Sequence, residues 1–497
     1  MTKAFSRRFF LGSALGFMAA PAVAEAPGTS LRPVARPGST RPVFKTAEEL
    51  VARAGVSGEV GYAVMDITSG QLREAGQAET ALPPASTLKT ITALYALEAL
   101  GTEHRFTTSV QTTGTVTDGV VQGDLILAGG GDPTLDTDRL ADLAAELKAS
   151  GIREVRGDFL VWGGFLPFSQ GIDPLQPPHV GYNPAVSGLN LNFNRVHFQW
   201  TRQGSAYQVS MDARSGKYRP DVQFARMAVE ARSLPVYTYA DRNGRDDWTV
   251  ARSALGKGGA RWLPVRKPEI YAGEVFQTFA RSHGIVLKAP KITDVAPGGS
   301  VLAQVVSAPL PDILRDMLKY STNMTAEVVG QAATRARNGS VGGILASATA
   351  MTDWARETYG LSDQARFVDH SGLGDASRIS AIDMVTALRA ALGEGTLRAL
   401  LKSHPMRDED RRIIKQHPVK VEAKTGTLNF VSALAGYCTA TDGTEMAFAI
   451  LTADVPRRDA LTMAERERPE GGRTWITRSK KLQQRLLQRW GQAFVNT

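Results

Sequence analysis

Pro83-Pro84-Ala85-Ser86-Thr87-Leu88-Lys89-Thr90-Ile91-Thr92-Ala93-Leu94 is the stretch on which the reading of this chain turns. The prolines cannot continue a preceding helix, and from Ser86 apolar residues recur at helical spacing (Leu88, Ile91, Leu94, Leu97) up to Gly101. The pattern predicts a helix opened by Ser86. Lys89 lies three residues on, one turn along the same face, so a hydroxyl and an amine meet over a helix N-terminus. A serine hydroxyl is a weak nucleophile until a base stands beside it, and free N–H groups at a helix start can hold an oxyanion. Ser-x-x-Lys nevertheless turns up by chance on the order of once in a chain of this length, and Ser is a common helix cap.

Two further motifs lie downstream. Ser321-Thr322-Asn323 falls between helical patterns, and Lys424-Thr425-Gly426-Thr427 ends a predicted strand. Each alone reads as a turn or an exposed strand end. The three together, in this order and on these elements, form a specific signal.

In these motifs the sequence resembles the penicillin-binding proteins and serine β-lactamases. It is most similar to the class C low-molecular-mass group, the D-alanyl-D-alanine carboxypeptidase/endopeptidase family. The resemblance also takes in Leu82 to Ser86, Arg105 to Thr108, Gly131 to Leu135, Val186 to Val196, Asp369 with Ser371-Gly372-Leu373, and Ala423 to Leu428. It implies an α/β (α+β) fold of the β-lactamase/DD-peptidase transpeptidase type, an antiparallel sheet flanked by helices. Ser86 and Ser321 are 235 residues apart, a gap that in this family holds β-rich domains inserted between the first and second motifs. The implied catalytic residues are Ser86, Lys89, Ser321, Asn323 and Lys424, with Thr425, Gly426 and Thr427 binding substrate.

The implied roles follow the chemistry of acyl transfer. Ser86 attacks the carbonyl between two D-alanines and Lys89 is the base. Ser321 passes a proton to the leaving amine, and Asn323 binds the substrate amide. Lys424, Thr425 and Thr427 receive the terminal carboxylate, and the N–H groups of Ser86 and Thr427 hold the oxyanion. Desolvation, the helix N-terminus and the charge of Lys424 are expected to lower the Lys89 pKa. Peptidoglycan D-Ala-D-Ala peptides are the implied substrates and β-lactams covalent inhibitors. Neither a cofactor nor a metal is expected.

The chain departs from the family pattern in three places. Thr322 stands where the second motif usually has Asp, and His404-Pro405-Met406-Arg407-Asp408-Glu409-Asp410 replaces a glycine-rich stretch. The acidic residue that relatives use to recognise the peptide stem has no aligned counterpart, since Asp173 is out of register with Tyr182.

Working outward, residues 1–24 read as a twin-arginine export signal: Arg7-Arg8, an apolar run from Leu11 to Ala20, and Ala22-Val23-Ala24 as the cleavage site. They place the mature protein in a bacterial periplasm. Residues 25–42 carry Pro27, Pro33, Pro37 and Pro42 and read as an extended tether. The expected catalytic domain comprises 43–105 and 305–497, with 106–304 as inserted accessory domain or domains. With 43% hydrophobic and 22% charged residues the composition is globular and long enough for more than one core. The net charge of +9, or +6 without the leader's three cations, is a modest excess. No basic stripe with interleaved aromatics suggests nucleic acid binding.

Gly129-Gly130-Gly131-Asp132-Pro133 lacks the Gly-Lys-Ser/Thr of a phosphate loop and reads as a turn. Cys438, a lone cysteine, reads as a core residue. The last helix, from about Ile476 to Phe494, carries Leu482, Leu486, Trp490 and Phe494 on one face with Lys480, Lys481, Arg485 and Arg489 elsewhere. That pattern suits packing on the sheet, with peripheral membrane contact as the alternative.

Rival readings differ in chemistry. A β-lactamase shares the three motifs but deacylates fast, and a non-catalytic cell-wall binding or sensor protein shares them without turnover. Asp369-His370-Ser371 are consecutive and cannot converge as a triad. The seven histidines include no His-Glu-x-x-His zinc motif.

Overall fold

Long antiparallel strands carry the site, and their sequences explain why they are central. Lys420–Leu428, Val431–Thr439 and Glu445–Ala453 pair in succession, and Glu59–Asp66 pairs with Glu445–Ala453 along its whole length. Leu72–Gly76 and the short Lys402–Ser403 complete a six-stranded antiparallel sheet at its two edges. Residues of Val431–Thr439 and Glu445–Ala453 are buried on both faces, so these strands read as continuous apolar runs rather than alternating ones. The chain is described here by a computed structural model covering residues 45–494; the expected export signal and tether, 1–24 and 25–42, lie outside the described residues.

Both faces of the sheet are covered. On one, Leu482, Leu486, Leu487 and Trp490 of the helix Gly472–Ala493 pack with Ala47 against Val60, Leu434, Phe448 and Ile450. Two of that helix's cations are ion-paired, Arg485 with Glu409 and Arg489 with Glu74. Its apolar face is therefore spent on the sheet, and among the described residues no helix is long and apolar enough to cross a membrane. On the other face, small side chains (Ala433, Ala435, Ala447, Ala449) let a helical cluster approach closely.

At the centre of that cluster the helix Lys89–Leu100 is buried on nearly all sides. The expected single helix from Ser86 is divided: Ala85–Leu88 is a 3-10 turn and the α-helix begins at Lys89. Three residues per turn bring side chains at i and i+3 into line, so the tighter turn improves the pairing of Ser86 with Lys89. The second motif lies between two helices as its sequence predicts, Leu310–Tyr320 and Asn323–Asn338, with the break at Ser321. The third motif does not end its strand, as the sequence predicts. The strand runs to Leu428 because the tight turn at Asn429-Phe430 returns it directly to Val431.

Between the first and second motifs the chain builds a different core. Thr107–Thr112 enters it and Ser300–Val306 leaves it, paired with each other (Thr107 opposite Val306), within a five-stranded mixed sheet. Entry and exit are adjacent, and the region also packs on the catalytic elements, with Leu166, Ile172 and Val186 in one apolar cluster with Met324, Val328 and Leu373. Two three-stranded sheets follow, Ala206–Asp212/Arg195–Gln203/Gly258–Pro264 and Ala225–Glu230/Arg245–Ala251/Tyr237–Arg242. The apolar core of this region is drawn from Val110 to Ala303, and that of the helical cluster from Ala63 to Phe106 and Leu310 to Ala453. Pro268–Ser282, a helix that buries Tyr271, Val275 and Phe276, went unseen in the pattern. Strand-like segments on both sides masked its short amphipathic stripe.

Candidate active site

Three elements converge at Ser86. The 3-10 turn presents the hydroxyl, the break between Leu310–Tyr320 and Asn323–Asn338 presents Ser321 and Asn323, and the strand Lys420–Leu428 presents Lys424 to Thr427. Two residues here adopt left-handed backbone that non-glycine residues avoid: Ala85 at φ 46° and Ser321 at φ 60°. Strain of this kind persists where the surroundings hold it, and it marks functional sites.

Lys89 Nζ lies 3.0 Å from Ser86 Oγ, 2.7 Å from Asn323 Oδ1 and 2.7 Å from the Ser371 carbonyl oxygen. The last two only accept hydrogen bonds. A neutral amine has two N–H donors and one lone pair; Asn323 and Ser371 take the donors, so the lone pair faces the Ser86 hydroxyl. Asn323 is held in this orientation because its Nδ2 donates to the Tyr182 carbonyl at 3.0 Å. Lys424 Nζ donates to Ser321 Oγ and to the Thr425 carbonyl, each at 2.8 Å.

Both lysines are buried. Burial lowers the Lys89 pKa to about 8, opposed by the carboxyls of Asp369 and Glu327. The expected push between the two amines falls on Lys424, which burial first, then Lys89 and Lys402, hold well below the usual lysine value. Motif spacing does not place Glu327 and Asp369 beside Lys89; the fold does. Burial and then Asp369 push Glu327 up to about 8, while the N–H groups of Ser371 (2.9 Å) and His370 (3.1 Å) bond its carboxyl. Asp369 accepts from Gly372 N at 2.7 Å and Gly374 N at 2.5 Å, and burial raises its pKa. These two acids shape the loop 369–374 so that the Ser371 carbonyl meets Lys89. His370 is a core residue: burial lowers it to about 3, and its ring bonds Ser347.

An amine can take the Ser86 proton only when neutral, so if Lys89 does so the rate at which a penicillin acylates the protein is expected to rise with pH. The neutral fraction grows roughly fiftyfold between pH 6 and pH 8 for a pKa of about 8. A stopped-flow profile that stays flat over this interval rules out Lys89 titrating in the free protein.

Close packing sets the rest of the cleft. A Cβ on Gly426 would stand 2.9 Å from the Pro84 carbonyl oxygen and 3.0 Å from Ser86 N, so only glycine lets the strand lie against the nucleophile turn. Val431–Thr439 pairs with the whole strand on one side, whereas Lys402–Ser403 pairs only with Ala423 and Glu422 on the other. From Lys424 onward that second edge faces the cleft, ready to pair with an extended peptide. The cleft has a volume of about 730 Å³ and is lined by Ser86, Tyr182, Ser321, Asn323 and Thr427 among others.

One wall comes from the region between the motifs. Tyr182 OH donates to Gln176 Oε1 at 3.2 Å, and Gln176 Nε2 donates to Asp173 Oδ2 at 2.6 Å. Asp173 is buried and also accepts Leu175 N at 3.0 Å. It secures the loop from behind, so the side chain that borders the cleft beside Tyr182 is an amide, Gln176. Backbone acceptors such as Ser371 and Tyr182 leave no side-chain signature, which is why the motifs alone missed them.

A nucleophile turn set between an antiparallel sheet and a helical cluster defines the class of serine β-lactamases and DD-peptidases. Within that class the chain belongs to the D-Ala-D-Ala carboxypeptidase 3 (S13) family, whose model matches residues 46–468. It is 28% identical to a D-alanyl-D-alanine carboxypeptidase of an Actinomadura species, over 92% of this chain and 89% of the relative. It is 26% identical to the D-alanyl-D-alanine carboxypeptidase DacB of Haemophilus influenzae, over 80% of this chain and 86% of that one. The crystal structure of penicillin binding protein 4 from Haemophilus influenzae shares the fold, with a TM-score of 0.72 at 20% identity. That match covers 89% of this chain and all of the other.

Proposed function

We propose that this chain is a serine D-alanyl-D-alanine carboxypeptidase that also opens cross-links, acting on peptidoglycan stem peptides through an acyl-enzyme on Ser86. The observation that carries the reading is the Lys89 amine, 3.0 Å from Ser86 Oγ with its other two contacts to acceptor-only oxygens. Ser86 Oγ attacks the carbonyl carbon between the two D-alanines and its proton passes to Lys89 Nζ. The N–H groups of Ser86 and Thr427 hold the oxyanion. The C–N bond then breaks, and the proton that Lys89 took from Ser86 passes to the departing amine by way of Ser321 Oγ, which Lys424 orients, leaving Lys89 neutral. Water enters and attacks the ester carbonyl, Lys89 accepts its proton and returns it to Ser86 Oγ, and the ester is hydrolysed. Lys424, Thr425 and Thr427 receive the substrate's terminal carboxylate, and Gly426 keeps the strand close to the turn. A β-lactam presents a strained amide and a carboxylate at matching positions and so acylates Ser86.

In this reading 43–105 and 305–497 form the catalytic domain and 106–304 the inserted region; the separate apolar cores support that division. Peptidoglycan lies outside the cytoplasm, which supports export by residues 1–24 to the periplasm; N-terminal sequencing of the exported protein decides it. For the activity, cross-linked muropeptides are incubated with the protein, and both free D-alanine and separated stems are expected. Benzylpenicillin is expected to leave one adduct, on the peptide carrying Ser86, and none on Ser86→Ala. A protein that takes no adduct overturns the reading, and rapid multiple turnover of a cephalosporin overturns it in favour of a β-lactamase.

A further inference from the structure

The rim of the cleft is strongly cationic, and only some of its charges have partners. Arg458 and Arg466 share Asp375. Glu467, an acid on the rim, is held by His179 at 3.2 Å. Arg411, Arg468, Arg473 and Lys480 also line the cleft, and none forms an ion pair among the described residues. Arg411 directly follows the segment His404 to Asp410, in left-handed backbone at φ 66° with its N–H bonded to the Asp408 carbonyl. Lys480 lies on the C-terminal helix, half-buried. Burial and the adjacent charge of Arg411 both lower its pKa, so two cations are pressed together without an anion between them.

These two residues also line a second cavity of about 490 Å³ that opens beside Thr425 and Gly426, just beyond the residues assigned to the terminal carboxylate. The acids of that cavity are engaged: Glu409 binds Arg485, Asp410 pairs with Arg412, and Asp408 accepts Arg412 N at 2.8 Å. A single departing D-alanine carries one carboxylate and ends there. A longer leaving group continues past Thr425 into this cavity and meets Arg411 and Lys480.

We propose that Arg411 and Lys480 form an anion subsite on the leaving-group side, which takes a second carboxylate carried by a departing stem peptide. The proposal rests on the acyl-transfer reading of Ser86 and adds a substrate class to it: cross-linked stems whose leaving half keeps its acidic groups free. An anion between the two cations relieves their mutual repulsion, so the contact contributes to affinity and to choice of substrate.

The test uses two synthetic cross-linked peptide dimers that differ only in amidation of the leaving half's second carboxylate, the one next to the scissile bond being free in both. The protein is expected to cleave the free acid with a kcat/KM at least about tenfold higher, the difference lying in KM. In Arg411→Gln/Lys480→Gln the preference is expected to fall below about threefold. Penicillin labelling reports that the double variant is folded. Equal rates on the two dimers, or a preference that survives in a labelled double variant, overturn the subsite. If a glycerol phosphate oligomer inhibits the parent but not the double variant while the dimers are cleaved equally, the cations read phosphate and the proposal falls. A parent protein that takes no penicillin overturns the Ser86 reading itself, which is a separate outcome.

Discussion

Lys89→Met is expected to slow acylation by a penicillin roughly a thousandfold to ten-thousandfold while leaving the protein folded. Methionine fills the same buried space without an amine, so nothing is left to take the Ser86 proton. The stability change is a contest between two terms. Lowering a buried lysine from 10.5 to about 8 costs about 3 kcal/mol. The sign is that of a folded state which binds protons less readily: the penalty is present in full below about pH 8 and fades as pH rises towards 10.5. Methionine removes that penalty at neutral pH. It also strands the Asn323 Oδ1 and Ser371 carbonyl acceptors, at about 1 to 3 kcal/mol each. The terms nearly cancel, so the midpoint of thermal unfolding should stay within a few degrees of the parent. Stopped-flow acylation beside a melting curve separates the two effects. A variant that acylates at the parental rate removes Lys89 from the mechanism.

Gly372→Ala is expected to damage both stability and rate, although residue 372 carries no reactive atom. Gly372 has φ 76°, and a Cβ there would lie 1.9 Å from the Ala85 carbonyl oxygen. The left-handed backbone alone disfavours alanine, and the overlap forces the 369–374 loop away from the nucleophile turn. Together these are expected to lower unfolding free energy by about 3 kcal/mol. The same displacement moves the Ser371 carbonyl that orients Lys89. Misplacement by about 1 Å is enough to reduce the acylation rate on the order of a hundredfold. Denaturant titration and acylation kinetics on one sample measure both. A variant as stable and as fast as the parent shows that the loop does not brace Ser86.

These two variants mark different degrees of legibility. Lys89 was visible because a functional amine three residues from a serine, at the start of an apolar-periodic helix, has a side-chain signature. Ser321, Asn323 and Lys424 were visible for the same reason, as residue types at fixed spacing. Gly372 appears in the sequence only as part of a short run beside Asp369. Its need for glycine comes from the Ala85 carbonyl, far away in the chain. Glu327 sits on a helix face like many others, and only its burial beside Asp369 gives it a perturbed pKa. Asp173 is out of register in the sequence for recognising the stem, and in the structure its carboxylate is taken by Leu175 N and Gln176. The C-terminal helix was read correctly as sheet-packing from its apolar stripe. Which of its cations would be neutralised depended on Glu409 and Glu74, which no periodicity reveals.

By itself the sequence picked out Ser86, Lys89, the other two motifs and their order, the sheet-and-helix class and the presence of a large excursion between Ser86 and Ser321. These are properties of local spacing and residue type, which survive in one dimension. The tertiary structure decided which oxygens hold the Lys89 hydrogens, which edge of the Lys-Thr-Gly strand is open, which carboxylates already have partners, and that Arg411 and Lys480 form no ion pair among the described residues. Backbone carbonyls, close approach and charge balance depend on distances between segments hundreds of residues apart, and those distances exist only once the chain has folded.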